Sequence, residues 1–230
     1  MHLSAKLYTI ILFLACLMPG QIIAQETKDC IGILEGEVSK KINKSLEVSL
    51  SEEIRSKNFL EEVDRLATGV GVAYKHPRFK DLKVGGSYEL LSYFNQNLID
   101  ENKHRFSAYV QYKYSYGYFD FSLRSRFQST YQDESTGNYK VNPKNKLRNR
   151  LNVAYNIYGT PYTPYTSFEL TNTVGLVNGD YFDRYRIRLG FEYRLNKQSS
   201  IDIFSRYSKD INQKEPAEIV SFGLSYNFKL

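Results

Sequence analysis

The chain has 230 residues, a formal net charge of +6 and two cysteines, Cys16 and Cys30, and its length suits one domain. Cys16 lies in an N-terminal segment that we expect to be removed, so the mature protein keeps one thiol and cannot form an internal disulfide. The positive residues are spread along alternating segments rather than gathered in a tail or a helix, which argues against nucleic-acid binding.

Residues 1–24 have the layout of a secretory signal peptide. A short basic start is followed by an apolar run over 7–18 and by a small residue, Ala24, at the expected cleavage point. The run is shorter than the roughly 20 apolar residues that a membrane-spanning helix needs, and a lipoprotein cleavage site before Cys16 is a minor alternative. We therefore predict a signal peptide over 1–24 and one β-barrel domain over 25–230.

The mature sequence alternates apolar and polar residues in a series of short stretches, which is typical of β-strands whose two faces meet different surroundings. In chain order these stretches lie at 31–41, 45–56, 62–75, 82–94, 103–115, 118–131, 146–157, 163–172, 184–195, 199–208 and 220–230. The clearest is 184–195, where Tyr185, Ile187 and Leu189 alternate with arginines. A helix would mix these two sets of side chains on every face, so the pattern favours a strand.

One part of the series also fits a helix, because Leu50, Ile54 and Val63 would share a helical face. We interpret 50–67 as strand, loop and strand. The tally is then eleven strands, whereas single-chain bacterial barrels have an even number. We predict twelve strands, with a further short strand in the N-terminal region, and keep ten as the alternative.

The strands could form a soluble calyx or an antiparallel transmembrane barrel, which place their apolar faces on opposite sides. Short turns alternate with longer polar loops such as 95–102 and 132–144, and tyrosines concentrate near strand ends, as in outer-membrane barrels. A calyx also closes with about eight strands, fewer than this chain offers. We therefore predict a transmembrane barrel in the bacterial outer membrane. A one-residue slip of 184–195 would put four arginines in lipid, at a cost on the order of ten kcal/mol.

In such a barrel the charged faces point into the lumen, where basic residues outnumber acidic ones about two to one by this assignment. The candidate lumen-lining residues are Arg124, Arg126, Arg148, Arg150, Arg184, Arg186, Arg188, Glu192 and Arg194. Paired charges that fill a narrow interior are one interpretation. The other is a pore that attracts anions, because surplus guanidinium groups in a low-dielectric channel bind carboxylate and phosphate groups.

Several segments together resemble an uncharacterised family of bacterial outer-membrane β-barrels, a domain of unknown function numbered 2490. The likeness is carried by 146–151, 164–170, 183–186, 192–195 and 223–226 and covers nearly all of the mature chain. It implies the barrel fold and the outer membrane, and it implies no activity. The size and the arginine-lined interior are also distantly similar to small porins for acidic oligosaccharides.

The C-terminal stretch 221–228 resembles the signal that the barrel assembly machinery reads in outer-membrane proteins. The residues that carry this likeness are Gly223, Tyr226 and Phe228, and the chain departs from the pattern by ending in Lys229 and Leu230. The resemblance implies that the assembly machinery is a partner of this chain.

The sequence offers little that is typical of an enzyme. His76 and His104 remain after signal cleavage, and no histidine or cysteine spacing is typical of a metal site. We predict no catalytic, cofactor-binding or metal-binding residue. The weakest alternative is a lipid hydrolase that uses Ser92 and His104, which flank the predicted loop 95–102.

The leading hypothesis is thus a monomeric outer-membrane barrel that acts as a passive pore for small anionic solutes. A non-conducting barrel that serves a structural role or interacts through its outer loops is the alternative. The expected partners are outer-membrane lipid, the assembly machinery and small anions, and we expect no nucleic acid and no cofactor.

Overall fold

A computed structural model of the protein describes residues 29–58, 61–95, 98–132, 142–175, 181–212 and 216–230. The predicted signal peptide over 1–24 lies outside these residues. Over the described residues the chain forms eleven strands. They are β1 (Asp29–Lys41), β2 (Leu46–Lys57), β3 (Glu62–Lys75), β4 (Leu82–Asn95), β5 (Leu98–Tyr116), β6 (Phe119–Gln132), β7 (Lys144–Tyr155), β8 (Tyr162–Val174), β9 (Tyr181–Arg194), β10 (Ser199–Asp210) and β11 (Glu218–Lys229).

The strands form one closed barrel, which confirms the predicted all-β fold. Each strand pairs antiparallel with its neighbours in sequence, and β1 and β11 close the barrel as a parallel pair, with Ile33 opposite Gly223. The prediction of twelve strands is wrong, and so is the alternative of ten. Closure through a parallel pair needs no even number of strands, and the eleven alternating stretches of the sequence are the eleven strands.

The segment that also fitted a helix is a strand hairpin. β2 ends at Lys57 and β3 begins at Glu62, and their register shifts by a bulge between Arg55 and Ser56. The strand interpretation of 50–67 is confirmed. Pairing on both sides of each strand overrides the helical spacing of a few apolar residues.

We call the end of the barrel that carries 42–45, 76–81, 117–118, 156–161 and 195–198 the turn end, and the opposite end the loop end. The predicted loop over 95–102 is wrong in its extent. β4 ends at Asn95 and β5 begins at Leu98, so most of that segment belongs to the β5 strand. Two short connections, after β2 and after β4, therefore lie at the loop end, and the contrast in length between the two ends is weaker than the sequence indicated.

The outer face of the barrel is apolar and its inner face is polar. Large apolar side chains face outward, and Leu50 and Leu123 are each 55% exposed, whereas Glu169 and Ser221 are buried in the interior. This is the reverse of a water-soluble domain, in which buried side chains are mostly apolar. Within the described ranges, no helical segment has the length and apolar character that a helical membrane crossing requires.

One small apolar cluster lies inside the barrel where it closes. It consists of Ile31 and Ile33 of β1 and Phe204 of β10, with Ile219 of β11 packed against it. The strand alternation brings these side chains inward, and Ile33 and Phe204 lie at the same height because both are opposite Gly223.

Candidate functional site

The barrel interior contains a cavity of about 550 Å³ toward the loop end. Fourteen lysine and arginine side chains and four glutamates line it. The basic residues are Arg55, Arg65, Lys103, Arg105, Arg124, Arg126, Lys144, Lys146, Arg148, Arg150, Arg184, Arg186, Arg188 and Arg206, and the glutamates are Glu35, Glu53, Glu89 and Glu169.

Seven of the nine residues proposed from the sequence as lumen-lining lie on this cavity, and Glu192 and Arg194 do not. Glu192 lies opposite Asp202, closer to the turn end, and Arg194 is exposed at the last position of β9. Glu35, Lys103 and Lys144 also line the cavity and were not assigned to the lumen from the sequence. The alternation within 31–41 could have identified Glu35, because it shares the inward face of β1 with Ile33.

A carboxylate on β8 organises two of the arginines. Glu169 accepts three hydrogen bonds from the guanidinium of Arg148, of 2.7 to 3.0 Å, and one of 3.2 Å from Arg186. Arg148 also donates to Gln128 over 3.1 Å. Such a bidentate arrangement fixes the plane of the guanidinium, and it uses both oxygens of the carboxylate.

Arg188 is paired with an acid, a hydroxyl and an aromatic ring. Its guanidinium donates to Asp202 over 2.7 Å and to the hydroxyl of Tyr165 over 2.8 Å, and it lies 3.4 Å from the centre of the Phe204 ring. Tyr165 in turn donates to Asp202. Glu35 lies 3.9 Å away on the other side of the closure between β1 and β11.

Three inward aromatic rings lie against glycines of adjacent strands. Tyr109 covers Gly85, Tyr165 covers Gly190, and Phe204 covers Gly223, each pair being directly opposite in register. The missing Cβ atoms leave room for the rings to lie flat on the barrel wall. These rings are hard to recognise in the sequence, because they interrupt the polar face only once per strand.

Three further arginines on β6 and β7 have no hydrogen bond or ion pair to any other residue that the structure describes: Arg124, Arg126 and Arg150. Arg124 lies directly opposite Arg150, and Arg126 lies opposite Arg148. The guanidiniums of Arg124 and Arg126 lie 5.9 and 5.7 Å from the centre of the Tyr109 ring. The buried Nε of Arg126 has no acceptor.

Several other charges on this cavity are paired. Glu53 bonds to Arg65 and lies 3.5 Å from Arg55, and Glu89 accepts a hydrogen bond of 3.0 Å from Arg105. Toward the loop end, Arg184 bonds to Asp210 and Lys146 to Asp183.

A second cavity, of about 320 Å³, lies toward the turn end. It shares Glu89, Arg124 and Arg126 with the first cavity. The charges on its lining are balanced, since Glu37, Glu47 and Glu89 stand against Lys83, Arg124 and Arg126. The excess of positive charge thus lies at the loop end of the interior.

The residues of the hydrolase alternative lie on the outer surface. The Ser92 hydroxyl donates to Asn102 over 2.8 Å, and the Nδ1 of His104 pairs with the Tyr88 hydroxyl over 2.8 Å. Each is therefore hydrogen-bonded to a different residue, and no nucleophile–base bond joins them. Over the described residues, no group of three or more His, Cys, Asp and Glu side chains could hold a metal ion.

The three residues of the C-terminal resemblance divide between the two faces of β11. Gly223 faces inward beneath Phe204, whereas Tyr226 is exposed on the outside and its hydroxyl donates to Ser199 over 3.3 Å. Phe228 lies opposite Ser199 near the end of the strand.

Comparison with known proteins identifies a family, and one solved structure shows a weak likeness. A solved structure of OmpT, described as in-vitro folded and as an outer membrane protein of Vibrio cholerae, covers 86% of this chain and 94% of its own, with 12% identity and a TM-score of 0.35. That score is too low to establish a common fold. A search of curated proteins finds no match. The model of the protein family of unknown function DUF2490 matches residues 34–216, and the chain belongs to this family.

Proposed function

We propose that this protein is an outer-membrane β-barrel that forms a narrow pore favouring small anions. The observation that carries the proposal is the interior cavity, on which fourteen basic side chains face four glutamates. A channel with low-dielectric walls and surplus positive charge concentrates anions and excludes cations.

The outer surface supports the membrane location. Val70, Phe106 and Val110 are each at least half exposed in the middle of their strands, and the closed barrel pairs the backbone groups that an open sheet edge would leave in lipid. We expect cleavage after Ala24, insertion through the assembly machinery and a monomeric barrel. Recovery of the mature chain from the periplasm as a detergent-free soluble protein would contradict the membrane location.

We assign the route of the anion to the two cavities, which share lining residues along the barrel. An anion that enters at the loop end meets the strongly cationic cavity first and then the lining residues that both cavities share, Glu89, Arg124 and Arg126. Because Glu89 is already bonded to Arg105, the two arginines carry the uncompensated charge at this junction. We assign them the main contribution to charge selectivity.

Single-channel conductance in planar bilayers tests the pore. Under a potassium chloride gradient, the wild-type protein is expected to give a reversal potential on the anion-selective side. The double variant Arg124→Gln/Arg126→Gln should move that potential several-fold closer to zero, whereas Arg194→Gln removes a charge away from both cavities and should leave it unchanged. Cation selectivity of the wild type would reject the proposal.

A sealed barrel is the second candidate, and the packing around Arg188 favours it. There Tyr165, Asp202, Phe204 and Ile33 fill the interior beside the closure between β1 and β11. The folded protein would then give no channel currents at all, with every variant alike. This outcome differs from a cation-selective pore and assigns the outer loops the functional role.

A further inference from the structure

The wall formed by β6 and β7 carries an arrangement of charges that the protein alone does not balance. Strand pairing places Arg124 directly opposite Arg150 and puts Arg126 on the same face of β6. Side chains directly opposite in a sheet have Cβ atoms about 4.5–5.5 Å apart, and like charges at such positions destabilise the pair. The arrangement is therefore costly unless an anion lies among the three guanidiniums.

The nearest carboxylates are already committed to other arginines. Glu169, which lies opposite Arg150, directs its hydrogen bonds to Arg148 and Arg186. Glu89 is bonded to Arg105. Arg150 thus has a carboxylate beside it in register and no hydrogen bond to it.

The free guanidiniums are held in place by an aromatic ring rather than by acids. Arg124 and Arg126 both lie within 6 Å of the centre of the Tyr109 ring, a distance at which cations are attracted to the ring face. The ring itself lies flat on Gly85. This support positions the donors and leaves their N–H groups available to a ligand in the cavity.

We infer that Arg124, Arg126 and Arg150 form a discrete site for a tetrahedral oxyanion of the phosphate monoester class. A planar carboxylate carries one charge and presents two oxygens, which one or two guanidinium forks satisfy. A phosphate group carries nearly two charges and three acceptor oxygens, which suits three guanidiniums from two strands. Because the site lies inside the barrel, its ligand is a soluble phosphate compound rather than a bilayer lipid.

This inference deepens the proposed anion pore, and its test measures binding without any current. The folded full-length mature barrel in detergent micelles at low ionic strength is titrated calorimetrically with inorganic phosphate, and in parallel with acetate and chloride. We expect one phosphate per chain, bound at least about tenfold more tightly than acetate. Arg124→Gln and Arg150→Gln should each weaken phosphate binding about tenfold or more, since each removes hydrogen bonds to a charged ligand.

Two matched variants sharpen the test. Arg194→Gln removes the same charge away from both cavities and should retain wild-type affinity. Glu169→Gln releases Arg148 and Arg186 from their carboxylate and should tighten phosphate binding several-fold. Circular dichroism verifies that each variant retains its β-sheet, and the two oppositely directed effects keep the test decisive if one variant does not fold.

Several outcomes would overturn the site. These are wild-type affinity for phosphate no greater than for acetate, equal weakening in Arg194→Gln and Arg124→Gln, or unchanged affinity in both Arg124→Gln and Arg150→Gln. Bilayer recordings separate the two proposals. Phosphate binding without channel currents would remove the pore and keep the site, whereas anion-selective currents without phosphate binding would remove the site and keep the pore.

Discussion

Two walls of the same barrel use arginine in different ways. On the wall near the closure, Arg188 is bonded to Asp202 and Tyr165 and stacked on Phe204. On the wall formed by β6 and β7, Arg124 has an aromatic ring beneath it and no hydrogen bond or ion pair to any described residue. Both side chains point inward by the same strand alternation and line the same cavity.

The difference lies in the residues further along the facing strands and not in the arginines themselves. Each arginine has another arginine directly opposite, Arg206 for Arg188 and Arg150 for Arg124. Arg188 reaches Asp202 and Phe204 on the same strand as Arg206, whereas Arg124 has Gln111 on its other side and no hydrogen-bonded acid among the described residues. A guanidinium with satisfied partners stabilises the fold, and one without them is available to bind a ligand. The comparison therefore predicts that the two walls respond oppositely to the same substitution.

The largest effect is expected from a disulfide between β1 and β11, the strands that close the barrel. The wall beside this closure contains Arg188, and we call it the packed wall. Leu34 and Leu224 are directly opposite in the parallel pair of β1 and β11. In a Cys30→Ser background, cysteines at these two positions should form a disulfide nearly completely, because direct neighbours lie within the Cα separation that a disulfide spans. The product is measured by non-reducing electrophoresis and by mass spectrometry of the linked peptides.

A pair of cysteines at positions that are not opposite in the register serves as the control. Phe228 lies opposite Val38, four residues along the strand from the partner of Leu34, which is roughly 13 Å at the usual rise per residue. Cysteines replacing Leu34 and Phe228 should remain reduced. Linkage of this pair, or none at Leu34 and Leu224, would refute the parallel register and with it the contact between Arg188 and Glu35.

The second effect is a loss of stability that is confined to the packed wall. Arg188→Gln leaves Asp202 and Tyr165 without their cationic partner, and we expect it to lower the free energy of unfolding by roughly 2–3 kcal/mol. Arg124→Gln should leave the free energy of unfolding unchanged or slightly raised, since it relieves repulsion with Arg150. The chain has no tryptophan, so urea unfolding in lipid vesicles is followed by circular dichroism; equal losses in the two variants would remove the distinction between the walls.

Much of the fold follows from the sequence because a strand sends alternate side chains to opposite faces. The arginines of 184–195 could be assigned to one face without any knowledge of neighbouring strands, and the alternation located every strand, with the largest error at the start of β5. The count of twelve strands failed because it rested on a general rule about bacterial barrels rather than on a residue of this chain. No local pattern distinguishes a parallel from an antiparallel partner for β1.

For the candidate site, the direction of each side chain could be predicted from the sequence, but its partners could not. Alternation establishes that Arg124 and Arg188 point inward, but the partner of each depends on the register between strands, which a single sequence does not specify. The inward rings of Tyr109, Tyr165 and Phe204 were missed because each is one apolar residue on a polar face. The signal that could have found them is the glycine opposite each ring, which is recognisable only when the strands are aligned.

The smallest effect is expected from a methyl group added at two of these glycines. At Gly223 a Cβ would overlap the Phe204 ring, which Arg188 covers and Ile33 packs against, so Gly223→Ala should cost about 1–3 kcal/mol through overpacking. At Gly85 a Cβ would lie 2.6 Å from the tip of the Tyr109 ring.

That tip borders the second cavity, so the ring can swing into open space, and Gly85→Ala should cost less than about 1 kcal/mol. Its consequence should instead appear in binding, because the ring supports the guanidiniums of Arg124 and Arg126. Calorimetric titration with phosphate should show weaker binding in Gly85→Ala and unchanged binding in Gly223→Ala. The opposite ranking in the titration would mean that the packing near the closure, rather than the wall of β6 and β7, controls the anion site.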